Sequence, residues 1–220
     1  MASLSPLLRK AAFYGILDTG YVARENLFRK CEALAASGAK IIQLRAKKES
    51  AAERKAIALE ILPVFKRENA PFFIINDDAP LAAEICSLIP NAGLHIGQDD
   101  LPPDEARKII GKDRVLGLST HSIAQAKNAD ALFYLLDYFA VGPVYATNTK
   151  PGRPAVGLEL VSAVRDMRPR LPWFAIGGVS RKTAAVVRAA GAERIVAVSD
   201  VLTPEDTAAA VRELLANFGA

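Results

Sequence analysis

The chain has 220 residues, 51% of them hydrophobic, and its 28 basic and 24 acidic side chains leave a net charge of +4. That length suits one domain with a large core, and that apolar content excludes a disordered chain. The small basic excess is spread along the chain with no basic tail, so an anionic small molecule explains it as well as nucleic acid would.

Taken in chain order, short β-rich runs alternate with helical patterns. Strands are predicted at 13–17, 40–45, 72–76, 92–96, 115–119, 138–141, 173–176 and 194–199. Between them, Ser50-Ala51-Ala52-Glu53 forms a capping-box pattern ahead of an apolar-periodic stretch. Thr203-Pro204-Glu205-Asp206 reads as an N-cap at Thr203, proline in the first helical position and acids in the first turn. Gly38 and Gly191 fall where helices end. Strands alternating with helices imply parallel pairing through helical crossovers. Eight such units in so short a chain favour a single α/β domain over residues 1–220, closed as a (β/α)8 TIM barrel.

Cys31 and Cys86 lie among apolar neighbours in helical segments and read as buried free thiols. The first ten residues carry their basic groups after a short apolar patch, the reverse of a secretion signal. No apolar run is long enough to span a bilayer. The expectation is a cytoplasmic protein. Residues 142–157 stand apart, rich in Gly, Pro, Thr and Lys and without a period. A long irregular loop inside a compact domain is more often functional than accidental.

Barrel active sites lie at the C-terminal ends of the strands. There the second strand reads Gln43-Leu44-Arg45-Ala46-Lys47, and alternation puts Gln43, Arg45 and Lys47 on one face. Two cations and an amide at a barrel mouth suit a polyanion. The bland reading leaves Lys47 on a solvated loop. The third strand ends Asn76-Asp77-Asp78, and the fourth runs into His95-Ile96-Gly97-Gln98-Asp99-Asp100. Carboxylates at neighbouring strand ends can share a hard cation with substrate phosphate oxygens, although Asp78 and Asp99 also suit helix capping. The seventh and eighth strands lead into Gly177-Gly178 and Val198-Ser199, where this fold usually binds phosphate through backbone N–H groups. The residues thus suggest two anion sites. His95 reads as a hydrogen-bonded core or rim side chain, and His121 as part of a strand end running into a cap.

Gln43-Leu44-Arg45-Ala46-Lys47, Ile75-Asn76-Asp77, His95-Ile96-Gly97-Gln98-Asp99-Asp100-Leu101, Gly117-Leu118-Ser119-Thr120-His121, the loop from Gly142 through Thr147-Asn148-Thr149-Lys150, and Ala175-Ile176-Gly177-Gly178 follow one another in order. From about Phe13 onward the sequence resembles the thiamine phosphate synthase family. The resemblance implies an enzyme of thiamine biosynthesis, which displaces pyrophosphate from a hydroxymethylpyrimidine diphosphate with the nitrogen of a thiazole phosphate, carboxylated or not. It implies small-molecule partners, no nucleic acid and no membrane, and leaves a homo-oligomer open. By position, Gln43, Arg45 and Lys47, with the backbone of Leu44 and Ala46, would hold the pyrimidine diphosphate, together with Asn76 and Ser119. Asp77 and Asp100 would bind Mg²⁺. Lys150, Arg45 and Ser119 would serve catalysis, Lys150 by contacting the diphosphate and stabilising the departing pyrophosphate. Thr147, Asn148, Thr149, Gly178, Val198 and Ser199 would hold the thiazole phosphate. The family commonly has Glu where this chain has Ala46, and the first strand's Leu17-Asp18 matches only loosely. A thiazole tautomerase of the same superfamily and a non-catalytic thiazole-phosphate sensor are the competing readings. The former does not need the clamp formed by Arg45, Lys47, Asp77, Asp100 and Lys150.

Overall fold

The computed structural model describes residues 8–147 and 154–220. Eight parallel strands close into a barrel in sequence order. They are β1 (Phe13–Asp18), β2 (Ile41–Arg45), β3 (Phe72–Asn76), β4 (Ala92–Ile96), β5 (Val115–Thr120), β6 (Tyr138–Val141), β7 (Trp173–Ala175) and β8 (Ile195–Ala197). The helices are α1 (Leu27–Ala36), α2 (Ala51–Phe65), α3 (Ala79–Leu88), α4 (Pro103–Ile110), α5 (Ile123–Ala131), α6 (Gly157–Asp166), α7 (Ala184–Ala189), α8 (Ser199–Leu202) and α9 (Thr207–Phe218). The strands are buried almost throughout because the lumen covers one face and helices the other. Ladder length varies around the wall. β1 and β2 pair over five residues, β8 and β1 over three, and β7 and β8 through the single pair Ala175 and Ile195.

The expected local signals are present where a side chain can satisfy a helix end. Ser50 caps α2 in a complete capping box with Glu53. Gly38 and Gly191 take positive φ just beyond α1 and α7. Cys31 and Cys86 are buried free thiols. One helix start differs. The last helix begins at Thr207, with Asp206 as N-cap accepting from the Ala209 N–H at 2.8 Å, and Thr203 instead closes the short helix α8. The buried Lys30 ammonium accounts for the shift. It donates to the carbonyls of Pro204 and Glu205 and to Thr207 Oγ1, which takes those carbonyls out of a helical ladder. The last strand is also shorter than expected, because Ser199 opens α8 rather than ending β8.

Inside the barrel the rings of Tyr14, Tyr138 and Phe174 meet edge to face, with centroids 5.5–5.8 Å apart. All three are fully buried. Gly117 makes room for this cluster, since a Cβ there would lie 2.1 Å from Cζ of Tyr138.

Candidate active site at the barrel mouth

A cleft partly open to solvent occupies the C-terminal end of the barrel, the end where barrel enzymes place their sites. Alternation along each strand decides what faces it. Tyr14 and Ile16 of β1, Gln43 and Arg45 of β2, Asn76 of β3, His95 of β4 and Ser119 of β5 line one side. Thr147, Gly177, Gly178, Val198 and Ser199 line the other. Leu44 and Ala46 are buried and absent from the lining. Asn148, Thr149 and Lys150 lie outside the described residues.

Arg45 faces a lumen that must neutralise it. The partner is Asp18 at the end of β1, 2% exposed, whose Oδ2 lies 2.6 Å from Arg45 Nη1. The other Asp18 oxygen accepts from the Gly20 N–H at 2.8 Å. Sequence reasoning passed over Asp18, although the inward series Tyr14, Ile16, Asp18 carried the signal.

At the rim, Asp77 and Asp100 come together from the ends of β3 and β4. Burial and the neighbouring Asp77 carboxyl hold the Asp100 pKa above the usual carboxylate range, against the pull of the Gly97 N–H and of Lys47. Asp77 sits in the left-handed region at φ 61°, an uncommon conformation for a residue other than glycine. Its carboxylate takes a hydrogen bond from Asn76 at 2.6 Å and an ion pair from Lys47. The Gly97 N–H reaches Asp100 Oδ2 at 2.7 Å. Lys47 is therefore bound to the acidic pair rather than loose on a loop. These oxygen-only donors suit Mg²⁺, which is commonly held by one or two carboxylates with substrate phosphates completing its shell. Asp78 caps α3, as its position allowed, whereas α4 is preceded by Pro102 and not by Asp99.

Across the mouth, Gly177 and Gly178 have φ of 96° and 64°. A Cβ on Gly178 would lie 2.6 Å from that of Tyr145, and one on Gly177 would lie 2.4 Å from Pro143 Cα. Glycine is required here for the loop after β7 to pack against the loop after β6. That turn exposes backbone N–H groups beside those at the start of α8, an arrangement suited to anions. Both histidines are held. His95 bonds Tyr138 and Ser119, each at 2.9 Å, and His121 Nδ1 donates to the Gly142 carbonyl at 2.5 Å.

A closed parallel barrel with a cleft at the C-terminal ends of its strands, into which several polar side chains converge, defines a (β/α)8-barrel enzyme acting on a small molecule. The chain belongs to the thiamine monophosphate synthase family, whose model matches residues 13–201. It is 44% identical to a thiamine-phosphate synthase of Arthrobacter sp. (strain FB24), with 86% of each chain covered. It is 40% identical to one of Mycolicibacterium smegmatis (strain ATCC 700084 / mc(2)155), covering 97% of this chain and 94% of the relative. Among solved structures, a thiamine phosphate pyrophosphorylase from Pyrococcus furiosus superposes with a TM-score of 0.73 at 24% identity over 97% of this chain and 98% of that one. Tryptophan synthase from Mycobacterium tuberculosis superposes at 0.67 with 18% identity, over 99% of each chain. Those two likenesses reflect the shared barrel. Among the described residues, no helix is long and apolar enough to cross a membrane.

Proposed function

We propose that the protein condenses hydroxymethylpyrimidine diphosphate with hydroxyethylthiazole phosphate to give thiamine phosphate and pyrophosphate, a carboxylated thiazole phosphate in addition losing CO₂ and taking up a proton at the ring carbon that carried it. The observation that carries this reading is the convergence on one cleft of a cation-and-amide side, Gln43, Arg45, Asn76 and Ser119, and a backbone-amide side, Gly177 to Gly178 with Val198 to Ser199. One substrate brings a diphosphate and the other a monophosphate, so two anion sites facing each other match the pair.

In this reaction the bond from the pyrimidine methylene carbon to the diphosphate oxygen breaks, and its electron pair leaves with pyrophosphate. The thiazole nitrogen lone pair forms the new bond to that carbon. No proton is lost, so the site needs charge stabilisation and alignment rather than a general base. Arg45, locked by Asp18, presents its guanidinium to the diphosphate. Lys47 and Lys150 add positive charge where the leaving group gains negative charge. Asn76 and Ser119 hold the pyrimidine portion. Thr147, Asn148 and Thr149, with the backbone at Gly178, Val198 and Ser199, hold the thiazole phosphate opposite it. Asp77 and Asp100 are the residues that would hold Mg²⁺, which when bound adds a charge that stabilises the departing pyrophosphate.

The test is to combine the purified protein with both substrates and Mg²⁺ and to measure thiamine phosphate and pyrophosphate. Equal release of the two, abolished by EDTA, supports the reading. Absence of product from folded protein that still binds thiazole phosphate would overturn it in favour of a tautomerase or a sensor.

A further inference from the structure

Beneath the cleft, five side chains from five strands are joined by hydrogen bonds. Gln43 Nε2 donates to the Tyr14 hydroxyl at 2.6 Å, and the Tyr14 and Tyr138 hydroxyls lie 3.0 Å apart. The Tyr138 hydroxyl meets His95 Nδ1 at 2.9 Å, and His95 Nε2 meets Ser119 Oγ at 2.9 Å. Both ends, Gln43 and Ser119, line the cleft, while Tyr138 does not. Burial pushes both phenols well above their usual pKa, so both stay protonated.

Each phenol has one proton. The Tyr14 hydroxyl accepts from Gln43, and its own proton has Tyr138 as the acceptor within reach. Tyr138 must then send its proton to His95 Nδ1, since a buried hydroxyl left without an acceptor is costly. That makes His95 the Nε2–H tautomer, which donates to Ser119 Oγ. The Ser119 hydroxyl proton and the Gln43 carbonyl oxygen are both left for the cleft. If the Gln43 amide were turned over, every proton would run the other way, and both ends would change character.

We infer that Tyr138, with Tyr14 and His95, is a positioning residue whose hydrogen-bond relay makes the cleft present an acceptor at Gln43 and a donor at Ser119, and so selects an aminopyrimidine over its oxo analogue. The inference rests on the pyrimidine diphosphate reading of this side of the cleft. An aminopyrimidine offers an exocyclic N–H donor and unprotonated ring nitrogens as acceptors, which complements that pair. The oxo analogue has a carbonyl in place of the amine and a proton on a ring nitrogen, so it sets acceptor against acceptor at Gln43. Sites built to pair a substrate N–H or O–H reject analogues that lack it far more strongly than apolar pockets reject a misfit.

The experiment compares the wild type with Tyr138→Phe, using the amino and oxo pyrimidine diphosphates as competing substrates, and reads the His95 tautomer from side-chain ¹⁵N NMR. The wild type is expected to prefer the amino substrate by at least about 100-fold in kcat/KM and to show His95 as the Nε2–H tautomer. In Tyr138→Phe the preference is expected to fall by about tenfold or more, with His95 distributed between tautomers. A general loss of packing would lower both substrates together and leave the ratio unchanged. An unchanged ratio in folded Tyr138→Phe, or a wild-type His95 protonated on Nδ1, overturns the inference. Should Tyr138→Phe not fold, the wild-type tautomer and the ratio in Tyr14→Phe decide it. If the wild type turned over neither substrate, the functional reading would fail, while the tautomer measurement would still judge the relay.

Discussion

The carboxylate of Asp18 grips the guanidinium of Arg45 at 2.6 Å across the first two strands of the barrel. The pair lies in register on β1 and β2, and Asp18 is almost completely buried. Removing one partner of a buried ion pair leaves the other charge uncompensated, which typically destabilises by about 3–5 kcal/mol. Asp18→Ala is therefore expected to lower the melting temperature clearly and to raise KM for the pyrimidine diphosphate as Arg45 loses its orientation. Wild-type stability and KM in the variant would remove Asp18 from this role.

Asp100→Asn keeps an oxygen for the Gly97 N–H but removes one of two adjacent like charges. Without metal the variant is expected to be at least as stable as the wild type. With Mg²⁺, thermal stabilisation by mass action should appear in the wild type and fade in the variant. Its kcat/KM at fixed Mg²⁺ is expected to fall by at least about tenfold, given that even supporting residues around a metal are worth that much. Superimposable Mg²⁺ titrations would dismiss Asp100 as a ligand.

Gly178→Ala places a methyl group 2.6 Å from the Tyr145 Cβ, at a φ that costs other residues about 1–2 kcal/mol. The loop must shift, and its N–H groups shift with it. KM for the thiazole phosphate should rise, with a smaller change in KM for the pyrimidine diphosphate. Equal changes for both substrates would show that Gly178 serves the fold rather than one anion.

The two thiols offer a pH test. Burial raises Cys31 to about 12 and Cys86 to about 11, against about 8.5 for a free thiol. At about pH 8, fewer than about one in a thousand of either would be thiolate, so thiol labelling of the native protein should be slow and should accelerate on unfolding. The linked stability has a definite sign. It is present in full below about pH 8.5 and is lost as pH rises towards the native values. Rapid stoichiometric labelling of the folded protein at about pH 8 would contradict this burial.

Much of the wall was legible because a strand covered on both faces is an uninterrupted apolar run between turn residues. The strands over Phe72–Asn76, Ala92–Ile96 and Tyr138–Val141 match their expected bounds. The start of α9 was not legible, because it depends on Lys30, which is remote in sequence and which only the folded chain brings beside Pro204. Within the cleft, alternation placed Gln43 and Arg45 together, as found. Asp18 was hidden because a carboxylate at a strand end reads equally well as a solvated loop. Tyr14 and Tyr138 drew no reading of their own, and their meeting joins positions 124 residues apart. No periodicity encodes such a distance.

The barrel wall is zipped unevenly, since β7 meets β8 through the single pair Ala175 and Ile195. Regions with fewer supporting contacts and hydrogen bonds tend to open first, so this seam is expected to yield before the five-residue ladder between β1 and β2. Gly178 extends from one side of the seam and Ser199 from the other. A phosphate gripped by both would act as a clasp on the loosest joint of the cylinder, so occupancy of the site and tightening of the barrel would be a single event.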